Sequence, residues 1–113
     1  MSEPVDVPEI TAAELNARFE AGDAPVLVDV RENFERRIAD LPDHEQHRIP
    51  TGEFLTRMSE VDPDADIVVY CRSGSRSAWA VRLLQERGYE KVLNLKGGVL
   101  AWRKDVDPSL RAY

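Results

Sequence analysis

Apolar and polar positions alternate along the chain in two rhythms, one helical and one extended. Behind Thr11-Ala-Ala-Glu14, whose Thr and Glu have capping-box spacing, Leu15 and Phe19 stand four apart and predict a helix running to about Ala21. Gly22-Asp23 and Pro25 end it and turn the chain into Val26-Leu-Val-Asp-Val30, an apolar run suited to a central strand. Pro8-Glu-Ile10 is a brief extended entry ahead of this unit. Further on, Ile67-Val-Val-Tyr70 and Val92-Leu-Asn-Leu95 read as two more strands. Thr51 to Glu60 fits a helix with Phe54, Leu55 and Met58 inward, ended by Asp62-Pro-Asp64. Ser77, Ala80, Val81 and Leu84 share one face of another helix, which Gly88 caps. After a tight turn at Gly97-Gly98, a last helix carries Val99, Leu100 and Trp102, with the tryptophan read as core packing. Strands alternating with helices predict an α/β domain, a mainly parallel sheet of about four or five strands covered by helices on both faces.

Two stretches are less regular. Glu32 to Ile38 can form a short helical turn, whereas residues 39–47 are polar, broken by Pro42, and read as a loop before Arg48-Ile49-Pro50. Residues 105–113 read as an extended tail, a kind of segment that usually contributes little. The 113 residues and a 42% hydrophobic content suit a single domain over 1–113, with one core.

The chemistry concentrates where the Ile67–Tyr70 strand ends. Cys71 follows that strand directly, and Arg72, Ser73, Gly74, Ser75 and Arg76 form a loop without a large apolar side chain. Ser75, Ser77 and Ala78 lead into the next helix, so Cys71 lies at the carboxyl edge of the sheet, where ligands of parallel sheets bind. Free N–H groups of the helix start and of the loop favour an anion there, and a thiolate is an anion. Such surroundings lower a cysteine pKa from about 8.5 into the range of about 3.5–7.5. An unpaired cysteine ending a buried strand is more often an inert small hydrophobe. Here the polar loop and the cationic setting of Arg72 and Arg76 favour the reactive reading. Asp29 and Arg31, two apart near the end of their own strand, share a face and are read as a supporting structural pair. His44 and His47 stand in the polar loop and are read as exposed and outside the site.

Cys71-Arg-Ser-Gly-Ser-Arg76, followed by Ser77-Ala78, resembles the active loop of rhodanese-type sulfurtransferases. Leu27-Val-Asp-Val-Arg31 resembles the family's early strand, and Leu95-Lys-Gly-Gly-Val-Leu-Ala-Trp102 its late strand, Gly-Gly turn and final helix. The resemblance implies a sulfurtransferase in which Cys71 carries a persulfide. The loop residues Arg72 to Ser77 would bind a small anionic donor such as thiosulfate, and no other cofactor would be needed. The family's usual Gly-His-Ile-Pro-Gly-Ala type sequence is replaced here by the proline-and-histidine loop before Arg48. The ending of the chain resembles rhodanese domains fused behind adenylating enzymes. That implies a ubiquitin-like sulfur-carrier protein as acceptor, and a cysteine desulfurase persulfide is an alternative donor.

Composition narrows these readings. A net charge of −6 suggests neither a nucleic-acid footprint nor an anionic membrane surface. One cysteine permits no internal disulfide, and with only two histidines no metal site is expected. Met1 to Pro8 lacks the basic start and apolar core of a signal peptide, and no run approaches transmembrane length, so a cytoplasmic location is expected. Two rivals to sulfur transfer remain. One is a cysteine-dependent phosphatase or arsenate reductase, but the oxyanion loops of those enzymes enclose one residue more between Cys and Arg than the four between Cys71 and Arg76. The other is a non-catalytic interaction or redox-sensing module built on the same fold.

Overall fold

The structure, a computed structural model, describes residues 7–113; the reading of Met1 to Asp6 as free of a leader lies outside the described residues. Its five strands are β1 (Glu9–Ile10), β2 (Val26–Asp29), β3 (Gln46–Arg48), β4 (Ile67–Tyr70) and β5 (Val92–Leu95). They form one sheet in the order β1-β5-β4-β2-β3, and every pairing is parallel. Four helices, α1 (Ala12–Glu20), α2 (Thr51–Arg57), α3 (Ser75–Glu86) and α4 (Gly98–Asp105), cover it. The α/β architecture predicted from the apolar rhythms is therefore the one observed.

Alternation along the strands divides the core into two layers. Leu27, Val68, Tyr70 and Leu95 face Leu15 of α1 and Val99 and Trp102 of α4. Val28, Val30, Ile67, Val69 and Cys71 face Phe54 of α2 and Ala80, Val81 and Leu84 of α3. The capping box at Thr11 is formed, with the Glu14 N–H donating to Thr11 Oγ1 at 3.1 Å and the Thr11 N–H to Glu14 Oε1 at 2.9 Å. The chain leaves β2 toward β3 on one side and leaves β4 toward β5 on the other, so a crevice opens between the carboxyl ends of β2 and β4.

Several local expectations are corrected. Part of the polar loop is strand: Gln46–Arg48 pairs with Leu27–Asp29 as β3. Its residues are all half-buried because it lies at the sheet edge with a single neighbour, and such a strand shows no apolar alternation. Phe54 of α2 and Met58 just after that helix are buried, but Leu55 is 56% exposed. Phe54 and Met58 lie on one stripe, and a residue next to Phe54 is rotated about 100° away from it. The α-helix also stops at Arg57 and tightens into a 3-10 turn over Met58–Glu60. The end of the chain is not an idle tail, since Val106, Leu110 and Tyr113 pack onto the layer of α1 and α4.

Candidate active site

Cys71 directly follows β4, with its side chain fully buried on the α2 and α3 side of the sheet. Gly74 takes φ +105°, a conformation open to glycine at little cost, and so turns the chain into α3 within three residues of the cysteine. That tight return aims main-chain donors inward. The Gly74 N–H points at the sulfur at 3.0 Å and the Ser77 N–H at 3.4 Å, with Ser77 Oγ also 3.4 Å away. Burial by itself pushes the Cys71 thiol up. The Ser77 hydroxyl and the N–H groups of Ser77, Gly74 and Ser73 outweigh burial and hold it below the ordinary thiol value.

The loop rests on α4. Val99 N–H donates to the Cys71 carbonyl and Leu100 N–H to the Arg72 carbonyl, each at 3.0 Å. Gly98, at φ +59°, permits this approach, because a β-carbon there would collide with both carbonyl oxygens. Asn94, buried in β5, donates from Nδ2 to the Gly74 carbonyl at 3.1 Å and accepts from Ser77 Oγ at 2.5 Å.

The two arginines near the sulfur also have partners of their own, although Arg76 still interacts electrostatically with Cys71. Arg76 makes a two-point ion pair with the buried Glu35, at 2.8 and 2.9 Å. Chiefly through that contact, Glu35 is held down to about 2. Arg72 donates from Nε and Nη2 to the Tyr113 main-chain oxygen and lies over the Tyr113 ring at 5.3 Å. The groups that bond the Cys71 sulfur directly are main-chain and hydroxyl donors, with the charge of Arg76 acting from beyond them. Beside the loop, Thr51, Gly52, Arg76 and Trp79 line an open cleft of about 360 Å³.

Asp29 and Arg31 form the expected pair, Arg31 Nε to Asp29 Oδ1 at 2.9 Å. They share the carboxyl edge with Cys71 but project to the opposite face, beneath the ring of Tyr70. Asp40 and Arg48 complete a closed square of charge: Arg31 to Asp40 at 3.0 Å, Arg48 to Asp40 at 2.5 Å and Arg48 to Asp29 at 2.7 Å. Tyr113 joins the two regions, accepting from Arg31 at 2.8 Å and donating to Glu35 at 3.2 Å. His44 and His47 are both half-buried rather than exposed; His44 stacks on Phe19 at 4.1 Å, and His47 lies in β3 opposite Val28. Among the described residues no group of three His, Cys, Asp or Glu side chains is placed to hold a metal ion, and no helix is long and apolar enough to cross a membrane.

Sequence reading missed Glu35, Asn94 and Tyr113. Asn94 carried a signal, the one polar side chain in an apolar strand run. Glu35 sits among charged neighbours and had none.

The sequence that builds this site and the fold that carries it both have counterparts in known proteins. The family model of the rhodanese-like domain matches residues 11–105, and the chain belongs to that family. It is 42% identical over 98 residues to a sulfurtransferase of Allochromatium vinosum, covering 87% of this chain and 90% of the relative. It is 34% identical to the putative sulfurtransferase YtwF of Bacillus subtilis, covering 92% and 98%. The probable adenylyltransferase/sulfurtransferase MoeZ of Mycobacterium tuberculosis is 31% identical over 92% of this chain, which spans 26% of MoeZ. The crystal structure of a rhodanese-related protein from Thermoplasma volcanium superposes with a TM-score of 0.77 at 29% identity, covering 89% of this chain and 95% of that one.

Proposed function

We propose that the chain is a sulfurtransferase that moves sulfane sulfur from a small anionic donor such as thiosulfate to a thiophilic acceptor through a persulfide on Cys71. The observation that carries this reading is the convergence of the Gly74 and Ser77 N–H groups on the Cys71 sulfur. Relatives named sulfurtransferase support it.

In the first step the Cys71 thiolate attacks the outer sulfur of thiosulfate. A bond forms between Sγ and that sulfur, the bond from it to the sulfonate sulfur breaks, and sulfite leaves with the electron pair. The residues of the loop, Arg72 to Ser77, receive the donor, and the amide donors that held the thiolate hold the persulfide anion. In the second step the acceptor attacks the terminal sulfur and Cys71 leaves as thiolate. No separate base is called for, because the donors around Cys71 favour its thiolate and the leaving group is an anion, and no cofactor enters beyond the persulfide itself.

A donor persulfide from a cysteine desulfurase and an acceptor of the sulfur-carrier type fit the same two steps. The likeness to MoeZ, whose name joins adenylyl transfer to sulfur transfer, supports the carrier as acceptor. A lone cysteine that must stay reduced suits the cytoplasm. The tight loop from Cys71 to Arg76 closes on one sulfur and opposes a phosphatase reading.

Initial rates measured over a grid of thiosulfate and cyanide concentrations test the proposal. Parallel double-reciprocal lines, absent in Cys71→Ser, are expected, together with negligible hydrolysis of an aryl phosphate. Intersecting lines, or Cys71-dependent turnover of the aryl phosphate, would overturn it.

A further inference from the structure

Ser77 Oγ has one proton and two acceptors within reach. Asn94 Oδ1 lies at 2.5 Å and the Cys71 sulfur at 3.4 Å. The orientation of the Asn94 amide is fixed, because Nδ2 donates to the Gly74 carbonyl at 3.1 Å. A flipped amide would set two acceptors against each other there. Oδ1 therefore faces Ser77 permanently. Both residues are buried, Ser77 fully and Asn94 to 3% exposure, so water does not substitute for either partner.

We propose that Asn94 is a positioning residue that tunes the reactivity of Cys71 by competing with its sulfur for the single Ser77 hydroxyl proton. The inference rests on Cys71 being the nucleophile of the proposed sulfur transfer. With the cysteine protonated, its S–H donates to Ser77 Oγ and the hydroxyl donates to Asn94. When the thiol ionises, the hydroxyl turns to the thiolate and Asn94 Oδ1 loses its donor. Transfer of sulfur moves the negative charge to the outer sulfur, and the hydroxyl returns to Asn94. When the acceptor takes that sulfur, Cys71 is again a thiolate and the hydroxyl turns back. Asn94 thus sets a cost on the thiolate. A thiolate stabilised without limit is a poor nucleophile, since nucleophilicity falls as the thiol becomes more acidic.

The charged groups nearby are Arg76, paired with Glu35, and Arg72, held on Tyr113. Val28 of β2, Val30 just beyond it and Phe54 of α2, none of them titratable, belong to the apolar cluster that holds Cys71. These groups are the same in all the variants below, so differences between variants report the Ser77 proton.

The competition predicts opposite signs for two neighbouring residues. The ultraviolet absorbance of the Cys71 thiolate, titrated against pH with Cys71→Ser as the blank, reads it without requiring access to the buried sulfur. Ser77→Ala should raise the midpoint by about one pH unit, the worth of one hydrogen bond to a charged group. Asn94→Leu should lower it by roughly half a unit, since the hydroxyl then has no rival acceptor. Asn94→Val, which suits a strand, gives the same reading if the leucine variant folds poorly. In the double variant Ser77→Ala with Asn94→Leu the midpoint should match that of Ser77→Ala alone.

A merely structural Asn94 predicts otherwise. With the Gly74 carbonyl left to the Ala78 N–H alone, a relaxed loop would draw the Gly74 N–H from the sulfur and raise the midpoint, with Ser77 present or absent. A raised or unmoved midpoint in Asn94→Leu and Asn94→Val overturns the proposal. The titration is independent of sulfur transfer, so opposite signs in a protein that forms no persulfide would uphold the competition and sink only the functional reading.

Discussion

The carboxyl edge of the sheet carries two polar centres, one on each face, and they are built on opposite plans. On the α1 and α4 side, Asp29, Arg31, Asp40 and Arg48 match two anions with two cations, and the Tyr70 hydroxyl and Ala39 carbonyl take up remaining bonds. On the α2 and α3 side, one sulfur receives the N–H groups of Gly74 and Ser77, and the nearby arginines are paired with other groups. The first centre is electrically closed, each of its four charges facing two of opposite sign. The second holds donors in excess of what a neutral thiol can use, which is the condition for stabilising charge that appears during a reaction. Arginine content does not distinguish them, whereas saturation does.

Substitutions should separate the two centres. The largest effect is expected from Cys71→Ser, with sulfur transfer lost at least about a thousandfold while circular dichroism and melting stay close to the parent. Gly98→Ala should cost up to about a hundredfold in rate, because it drives the Cys71 and Arg72 carbonyls off α4 and displaces the loop by a fraction of its working geometry. Arg31→Ala should act in the other sense. Leaving buried Asp29 with Arg48 as its remaining cation should cost about 3 kcal/mol in denaturant unfolding, with the rate per folded molecule largely retained. If Arg31→Ala instead abolished transfer in well-folded protein, the division of the edge into a structural and a reactive face would fail.

Glu35 sharpens the comparison through pH. Its ionised form, held down to about 2 by Arg76, stabilises the fold fully above about 4.5, the ordinary glutamate value. That contribution is lost as pH falls from about 4.5 toward 2. In Glu35→Gln, acid unfolding monitored over that range should lose this part of its slope. The smallest effects are expected from His44→Ala and His47→Ala, assayed for sulfur transfer near neutral pH. His44 stacks on Phe19 and His47 lies in the edge strand, so their rates should stay near the parent value.

What could be read from sequence followed the strength of local signals. The β2, β4 and β5 runs are apolar and central, and α1 is announced by its capping box, so their elements stand where the pattern put them. The position of Cys71 at a strand end also follows from neighbouring residues, whereas α3 starts at Ser75 and so takes in Arg76, which the pattern left in the loop. β3 was illegible because a half-buried edge strand of three polar residues has no periodicity. The partners of the loop arginines were illegible for another reason. Glu35 meets Arg76, and Tyr113 meets Arg72, each across 41 positions of chain, and only the folded topology brings them together. Local pattern thus located the sulfur and its amides, whereas the pairing of long charged side chains required the tertiary structure.

The claim that the unsaturated centre stabilises a sulfur-borne charge is tested most directly by intact mass. Protein incubated with thiosulfate and freed of reagent should gain the mass of one sulfur atom on Cys71, reversed by cyanide with release of thiocyanate and absent in Cys71→Ser. Arg31→Ala protein that remains folded should gain it as well. A parent protein that stays unmodified, or an adduct that persists in Cys71→Ser, would contradict the account.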